Sequence, residues 1–359
     1  MSHLFSSRLA AIAVLVMSMM VSGNLVQAQA GETATVALTS SKQGWVKTDL
    51  SVRAGDRFLV AGTGTLNIGL PAPLEPRHLI WVRVGADGNI AQLIFNEQII
   101  EATTTGDVYV SALWPANVVL GTPTGGLNAA FDMIPETKWD FSVELALVSK
   151  ATPLEGAYKQ AMQNAKSQKT LPGGFQPLWY LGASNVFNKL NSSTRRGVHV
   201  RTADDAGIIK TPLNMDLTRD TQIDFSWLYR ALPARADETT TPHHDYMSLA
   251  VEFDNGQDIT WFWSATLPPE TIFRCPLPGW DKVETHIAVQ SGQDGLGAWH
   301  SHTRNIYDDY EKGVGGEMPG KIVGVWVIGN AVFGRRQADA EFADVTIKNA
   351  QVTKDIFTD

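Results

Sequence analysis

Residues 222–229 read QIDFSWLY, residues 246–253 read YMSLAVEF, and residues 282–290 read KVETHIAVQ. In the first, Ile223, Phe225, Trp227 and Tyr229 fall on one parity, with Gln222, Asp224 and Ser226 on the other. In the second, Met247, Leu249, Val251 and Phe253 oppose Tyr246, Ser248 and Glu252. In the third, Val283, Thr285, Ile287 and Val289 oppose Glu284, His286 and Gln290. Successive strand side chains point to opposite faces, so this alternation predicts antiparallel strands with one buried and one solvated face. Lys321 to Ile328 breaks the rule. Ile322, Val323, Val325, Trp326, Val327 and Ile328 are apolar on both parities, which predicts a strand covered on both sides and a domain of at least two layers. A double-sheet jelly roll or sandwich follows.

Working back from there, short β-like runs also fill residues 45–148. They include Leu50-Ser51-Val52, Arg57 to Ala61, Leu79 to Val84, Val108 to Leu113 and Trp139 to Val148, separated by turns such as Ala54-Gly55-Asp56 and Ala86-Asp87-Gly88. Between the two β regions, Leu154, Tyr158, Ala161, Met162 and Ala165 recur at helical spacing over Pro153 to Ser167, and Leu171-Pro172-Gly173-Gly174 ends that helix. The predicted class is all-β: two antiparallel β-sandwich or jelly-roll domains, 31–149 and 178–359, joined by a short helix and linker at 150–177. Residues 31–42, small and polar, read as a flexible leader.

Residues 1–30 read as a cleaved secretory signal. Arg8 supplies the positive start, Leu9 to Val21 an apolar run too short to span a bilayer comfortably, and Ala28-Gln29-Ala30 the small-x-small cleavage pattern. The expected location is the periplasm or the extracellular space. The chain has 359 residues, 44% of them hydrophobic, and a net charge of −8. That charge disfavours nucleic acid, which needs a basic surface, and no later segment reaches transmembrane length. A single cysteine, Cys275, excludes an intrachain disulfide and predicts no cysteine-based metal site. It reads as a buried small side chain. Eleven tryptophans are enough to supply aromatic platforms for sugar rings as well as core.

Two family resemblances stand on particular residues. Gly44-Trp45, Thr48, Leu50, Val52, Ala54-Gly55-Asp56 and Ala61-Gly62, with Leu79 to Gly85 and Asn117 to Thr122, resemble galactose-specific bacterial lectins of the PA-I type over residues 33–148. The resemblance implies a sandwich but not the family's calcium site. Val118 stands where the lectins have an aspartate, and Gly125-Gly126 where they have paired asparagines, and calcium needs those oxygens. The second half carries His244-Asp245-Tyr246, Ala250 to Phe253, Asp258 to Ser264, Glu284-Thr285-His286, Leu296 to Trp299, Arg304-Asn305, Tyr307, Asp309-Tyr310 and Ile322 to Val325. These resemble a family of exported bacterial proteins known as domain of unknown function 3047. That resemblance implies fold and compartment and no activity.

Glu284 and His286, two apart on one strand, share a face. Asp224, Ser226, Ser248, Glu252 and Thr260 line the same surface if their strands are neighbours, against the simpler reading of a solvated outer face. This face is the expected glycan contact, with Asp224, His244, Asp245, Tyr246, Glu252, Trp261, Glu284, His286 and Arg304 as its ligand-binding set. If the protein is a glycan hydrolase or lyase, Glu284 or Glu252 serves as acid or base, with His286 and Tyr246 assisting. A third possibility is a structural or assembly module of the envelope. The histidines His243, His244, His286, His300 and His302 lack any metal-binding spacing, so no metal or other cofactor is expected. Trp299 to Tyr310 reads as helical, with Arg304, Tyr307 and Asp308 on one face. There Arg304 either clamps an anion or anchors to Asp308 or Asp309. No Gly-x-Ser-x-Gly, Walker or dinucleotide motif appears.

Overall fold

The structure, a computed structural model, describes residues 33–39, 44–67, 72–113, 140–149, 152–153, 155–178 and 182–358. The expected signal at 1–30, Leu154 and the lectin-like loop around Asn117 to Gly126 lie outside them.

The first sandwich uses β1 (Thr33–Thr39), β2 (Val46–Val52), β3 (Arg57–Thr65), β4 (Ile80–Val84), β5 (Ile90–Gln92), β6 (Glu97–Glu101), β7 (Gly106–Ala112) and β8 (Asp140–Val148), with a one-turn helix α1 (Pro76–Leu79) before β4. Among the described residues two four-stranded sheets form, in the orders β1-β8-β3-β6 and β2-β7-β4-β5. Between them pack Leu38, Leu50, Phe58, Val60, Val82, Val110, Phe141 and Val143. The expected flexible leader is instead β1, paired antiparallel along β8 from Thr33↔Ala146 to Thr39↔Asp140. Its small residues hide an alternation in which Ala34 and Leu38 are buried.

Helix α2 (Gly156–Ser167) starts later than expected, after the N-cap residue Glu155, and buries Ala161 against Leu59 and Ala61 of β3. Asn164 fastens it by donating from Nδ2 to the Glu97 carbonyl at 2.8 Å. The segment after it is not all linker, because β9 (Gln176–Pro177) pairs with the second sandwich.

That second sandwich holds β10 (Phe187–Lys189), β11 (Gly197–Thr202), β12 (Ala206–Asp216), β13 (Gln222–Ala231), β14 (Tyr246–Phe253), β15 (Asp258–Ser264), β16 (Ile272–Arg274), β17 (Glu284–Ser291), β18 (Trp299–Asn305), β19 (Lys321–Asn330), β20 (Ala338–Lys348) and β21 (Thr353–Asp355). A six-stranded sheet runs β10-β11-β20-β13-β18, with β21 also on β20. A seven-stranded sheet runs β16-β17-β15-β14-β19-β12-β9. The fold is mostly β and mostly antiparallel, as the alternation requires. Trp227, Trp261, Trp263, Tyr229, Phe225, Phe253 and Phe342 fill the space between the sheets, each fully buried. Each such ring contributes about 1.5–3 kcal/mol by leaving water. Gly329 of β19 sits in this layer, and a Cβ there would stand 2.7 Å from Val200 Cγ1. The expected helix over Trp299 to Tyr310 divides in two. Trp299–Asn305 is a strand paired with β13, and α3 (Ile306–Gly313) begins where the Asn305 side chain accepts from the Asp308 N–H at 3.0 Å.

One connection shapes the outer face of this domain. β15 and β17 are neighbours and parallel, from Asp258↔Glu284 to Ser264↔Ser291. Parallel neighbours cannot be joined by a tight hairpin. The chain leaves β15, runs to the sheet edge as β16, and returns as β17. Leu267, Phe273 and Trp280 of that excursion pack onto the outer face of the sheet, against Phe262, Ala288 and Trp326.

Candidate functional site

The polar parity of β14, β15 and β17 does gather on one face, the face of the seven-stranded sheet turned away from the other sheet. Across neighbouring strands Glu252 stands opposite Asp258, and Asp258 beside Glu284. Thr260 stands beside His286 and opposite Ala250. The expected open surface at Glu284 and His286 is corrected, however. Tyr246, Ser248, Asp258, Thr260, Glu284 and His286 are all buried, His286 to zero exposure. Alternation reports that the residues share a face. It does not report that loop 232–245 and segment 265–283 lie over them.

Within this closed end the contacts are dense. Tyr246 donates its hydroxyl to Glu284 Oε1 at 3.1 Å, and Thr260 donates to the same oxygen at 3.3 Å. His286 Nε2 lies 3.3 Å from it. The His286 ring stacks on Phe273, centroids 5.0 Å apart and 11° from parallel, and meets His244 edge-on at 4.9 Å. His244 Nδ1 donates to the Glu238 carbonyl at 2.6 Å, and its Nε2 lies 3.3 Å from Cys275 Sγ. Glu238 is itself held by Ser264 Oγ at 2.6 Å and by the Ala265 N–H at 2.7 Å.

Burial sets the charge states. It would raise the Glu284 carboxyl, but His286, Cys275 and His244 around it overcome that and hold it down at about 2. Burial, reinforced by His286, lowers His244 to about 4. Burial and the nearby Glu284 charge push the Tyr246 hydroxyl and the Cys275 thiol up, and hold Asp258 well above the usual carboxylate range with help from Glu252.

At the other end of the face the cover thins. Glu252 is paired with Lys210 of β12, and its Oε2 accepts from Trp326 Nε1 at 3.1 Å. Lys210 Nζ lies 5.9 Å from the centre of the Trp326 ring, and Trp280 meets that ring edge-on at 6.4 Å. Gly324 leaves room for the ion pair, since a Cβ there would stand 2.9 Å from Lys210 Cε. The Glu252 and Lys210 side chains are 23% and 29% exposed and Trp280 is half-buried, so solvent reaches this end.

The remaining expected residues stand elsewhere. Asp224 is on the outer face of the opposite sheet, paired with Lys348 and accepting from Thr303 Oγ1 at 2.6 Å. Trp261 is in the core, donating Nε1 to Asp309 Oδ2 at 2.8 Å. Arg304 anchors internally, to Asp309 at 2.6 and 2.9 Å and to Glu270 at 2.5 and 3.0 Å. It is not presented as an anion clamp. Asp245 points away from His244 and caps a turn by accepting from the Phe333 and Gly334 N–H groups at 3.0 and 2.5 Å. Sequence reasoning missed Asp258, Cys275, Lys210 and Trp280. The parity of Asp258 within its strand was a readable signal; Cys275 and Trp280 have none, because their neighbours are set by the β15–β16–β17 excursion, and Lys210 meets Trp326 and Glu252 only through the β12–β19–β14 strand order.

Residues 178–346 match the family described as "Protein of unknown function (DUF3047)". The matched segment spans the whole seven-stranded sheet except β9, and all of the clustered residues. No curated protein matches the chain. Among solved structures, the xyloglucanase domain of NopAA from Sinorhizobium fredii, in complex with cellobiose, is 9% identical, covers 52% of this chain and 90% of its own, and has a TM-score of 0.30. The CBM22-1-CBM22-2 tandem of Paenibacillus barcinonensis Xyn10C is 11% identical over 90% of this chain and 94% of its own, with a TM-score of 0.25. Superpositions this loose carry no argument about ligand or reaction. Among the described residues no helix is long and apolar enough to cross a membrane.

Proposed function

We propose that this is an exported glycan-binding protein whose contact surface is the thinly covered end of the seven-stranded sheet, built from Trp280, Lys210 and Glu252 over the buried Trp326. The observation that carries the reading is the half-buried Trp280 indole, propped edge-on against the buried Trp326, beside a partly exposed ion pair. A sugar ring offers C–H groups on its face and hydroxyls around its edge. An indole plane accepts the first, and a fixed ammonium and carboxylate hydrogen-bond the second. The first sandwich, lectin-like in sequence, would add a second contact or hold the chain at its partner. Export rests on the apolar run and the Ala28-Gln29-Ala30 pattern. N-terminal sequencing of the protein from periplasm or medium checks it, and a retained Met1 would count against it. A glycan array probed with the purified chain tests the binding. Polysaccharide-specific signal is expected, and none at micromolar protein rejects the reading.

A further inference from the structure

We propose that His244, Cys275 and His286 form a closed structural zinc centre, with Glu284 as fourth ligand, that fastens the covering segments to the seven-stranded sheet. The proposal departs from the expectation of no metal and is independent of the glycan reading. One ligand atom from each of the three residues lies within 4.8 Å of the others, and all three residues are buried. They come from three separate pieces of chain: the end of loop 232–245, the residue after β16, and β17.

Three further observations point to a cation. First, His286 Nδ1 is buried without a hydrogen-bond partner, and Nε2 has only the Glu284 carboxylate at 3.3 Å, in a geometry short of a hydrogen bond; a polar group left in that state is costly. Second, His244 is oriented as metal-binding histidines are. The Glu238 carbonyl can only accept, so Nδ1 carries the proton and the Nε2 lone pair faces Cys275. Third, the charges close. A divalent ion against the Cys275 thiolate and the Glu284 carboxylate leaves a neutral buried centre, which avoids the penalty of an unpaired interior charge. Tyr246 and Thr260, both donating to Glu284 Oε1, would orient the carboxylate from behind.

Thiolate and imidazole select a zinc-like ion over calcium or magnesium, which take oxygen. Tetrahedral zinc sets its ligand atoms about 3.3–3.8 Å apart. The His244–Cys275 spacing of 3.3 Å fits, and small side-chain rotations of Cys275 and His286 close the remainder. Binding exchanges the thiol proton for the metal, releasing it to solvent. In a chain with a single cysteine such a centre does what a disulfide does elsewhere.

The test uses the full chain without residues 1–30, stripped with chelator and titrated with Co2+ and Zn2+. Expected are one equivalent bound per chain, thiolate-to-cobalt charge-transfer absorption, its displacement by Zn2+, and a thermal midpoint that rises with Zn2+. Cys275→Ser should abolish the charge-transfer band and weaken zinc by at least about tenfold. His243→Ala, at the exposed neighbouring histidine, should change neither. Because the buried variants can fail to fold, the wild-type chain decides alone: no charge-transfer band on the folded protein, or a thermal midpoint indifferent to Zn2+, overturns the proposal. Cobalt binding without the band, as at surface histidines, overturns it too.

Discussion

The second sandwich has two outer faces that read alike in sequence and end up in opposite environments. On the six-stranded sheet the outward parity is a solvated charge ladder, in which Arg230 pairs with Glu341 at 2.6 Å, His199 with Asp339 at 2.9 Å, and Asp224 with Lys348. On the seven-stranded sheet the same parity holds Tyr246, Thr260, Glu284 and His286, all buried. The alternation of QIDFSWLY does not differ in kind from that of KVETHIAVQ. What differs is the chain path. β13 and its neighbours are all antiparallel, whereas β15 and β17 are parallel and the excursion between them lies across the outer face. Polar residues under such a cover must satisfy one another, and that is what concentrates titratable groups there.

Substitutions can break this contrast. The largest expected effect is at Glu284. Glu284→Ala leaves Tyr246 and Thr260 without their shared acceptor in a dry site and removes the carboxylate beside His286, and should cost about 3–5 kcal/mol in urea unfolding. Asp224→Ala, on the solvated face, should cost under about 1 kcal/mol. Equal costs would mean that the two faces are equally wet. Next, Arg304→Ala strips a charged partner from the buried Asp309 and should cost about 2–3 kcal/mol, with no loss of glycan binding. A binding defect with stability intact would restore Arg304 as a ligand clamp.

A smaller effect is expected in the pH dependence. Burial against Phe225 and Trp227, helped by His300 and Arg304, lowers His302 to about 4, so the folded state holds it neutral where the unfolded chain would protonate it. Its contribution to stability is therefore complete above pH 6.5 and is lost as pH falls from 6.5 toward 4. His302→Phe should flatten the stability curve in that window by about 1–2 kcal/mol, since the ring is only partly buried. An unchanged slope would show that other groups carry the acid sensitivity.

Much of the sandwich was legible. The one-sided alternation of β13, β14 and β17 and the two-sided apolarity of Lys321 to Ile328 placed the inner faces, because parity and burial are tied wherever two sheets meet. The sharing of a face by Tyr246, Glu252, Glu284 and His286 was legible for the same reason. Whether that face was open was not, since it depends on strand order. Trp261 illustrates the limit: its parity places it with Ile259 in the core, whereas its tryptophan identity alone suggests a sugar contact. Arg304 illustrates another. Its spacing to Tyr307 and Asp308 suggests a helix, but Asn305, a good N-cap, marks the start of helix just beyond it. Cys275 meets His244 and His286 only through the β16 detour, so no sequence spacing could announce the cluster.

The most direct test compares the two ends of the covered face. Binding isotherms for the strongest array polysaccharide should be measured for the wild type, Trp280→Ala and His286→Gln, each confirmed as folded. Trp280→Ala should weaken binding by at least about tenfold, the loss of one aromatic platform, while folded His286→Gln keeps wild-type affinity. Wild-type affinity in Trp280→Ala with binding lost in His286→Gln would contradict the account and put the ligand in the interior that the structure closes.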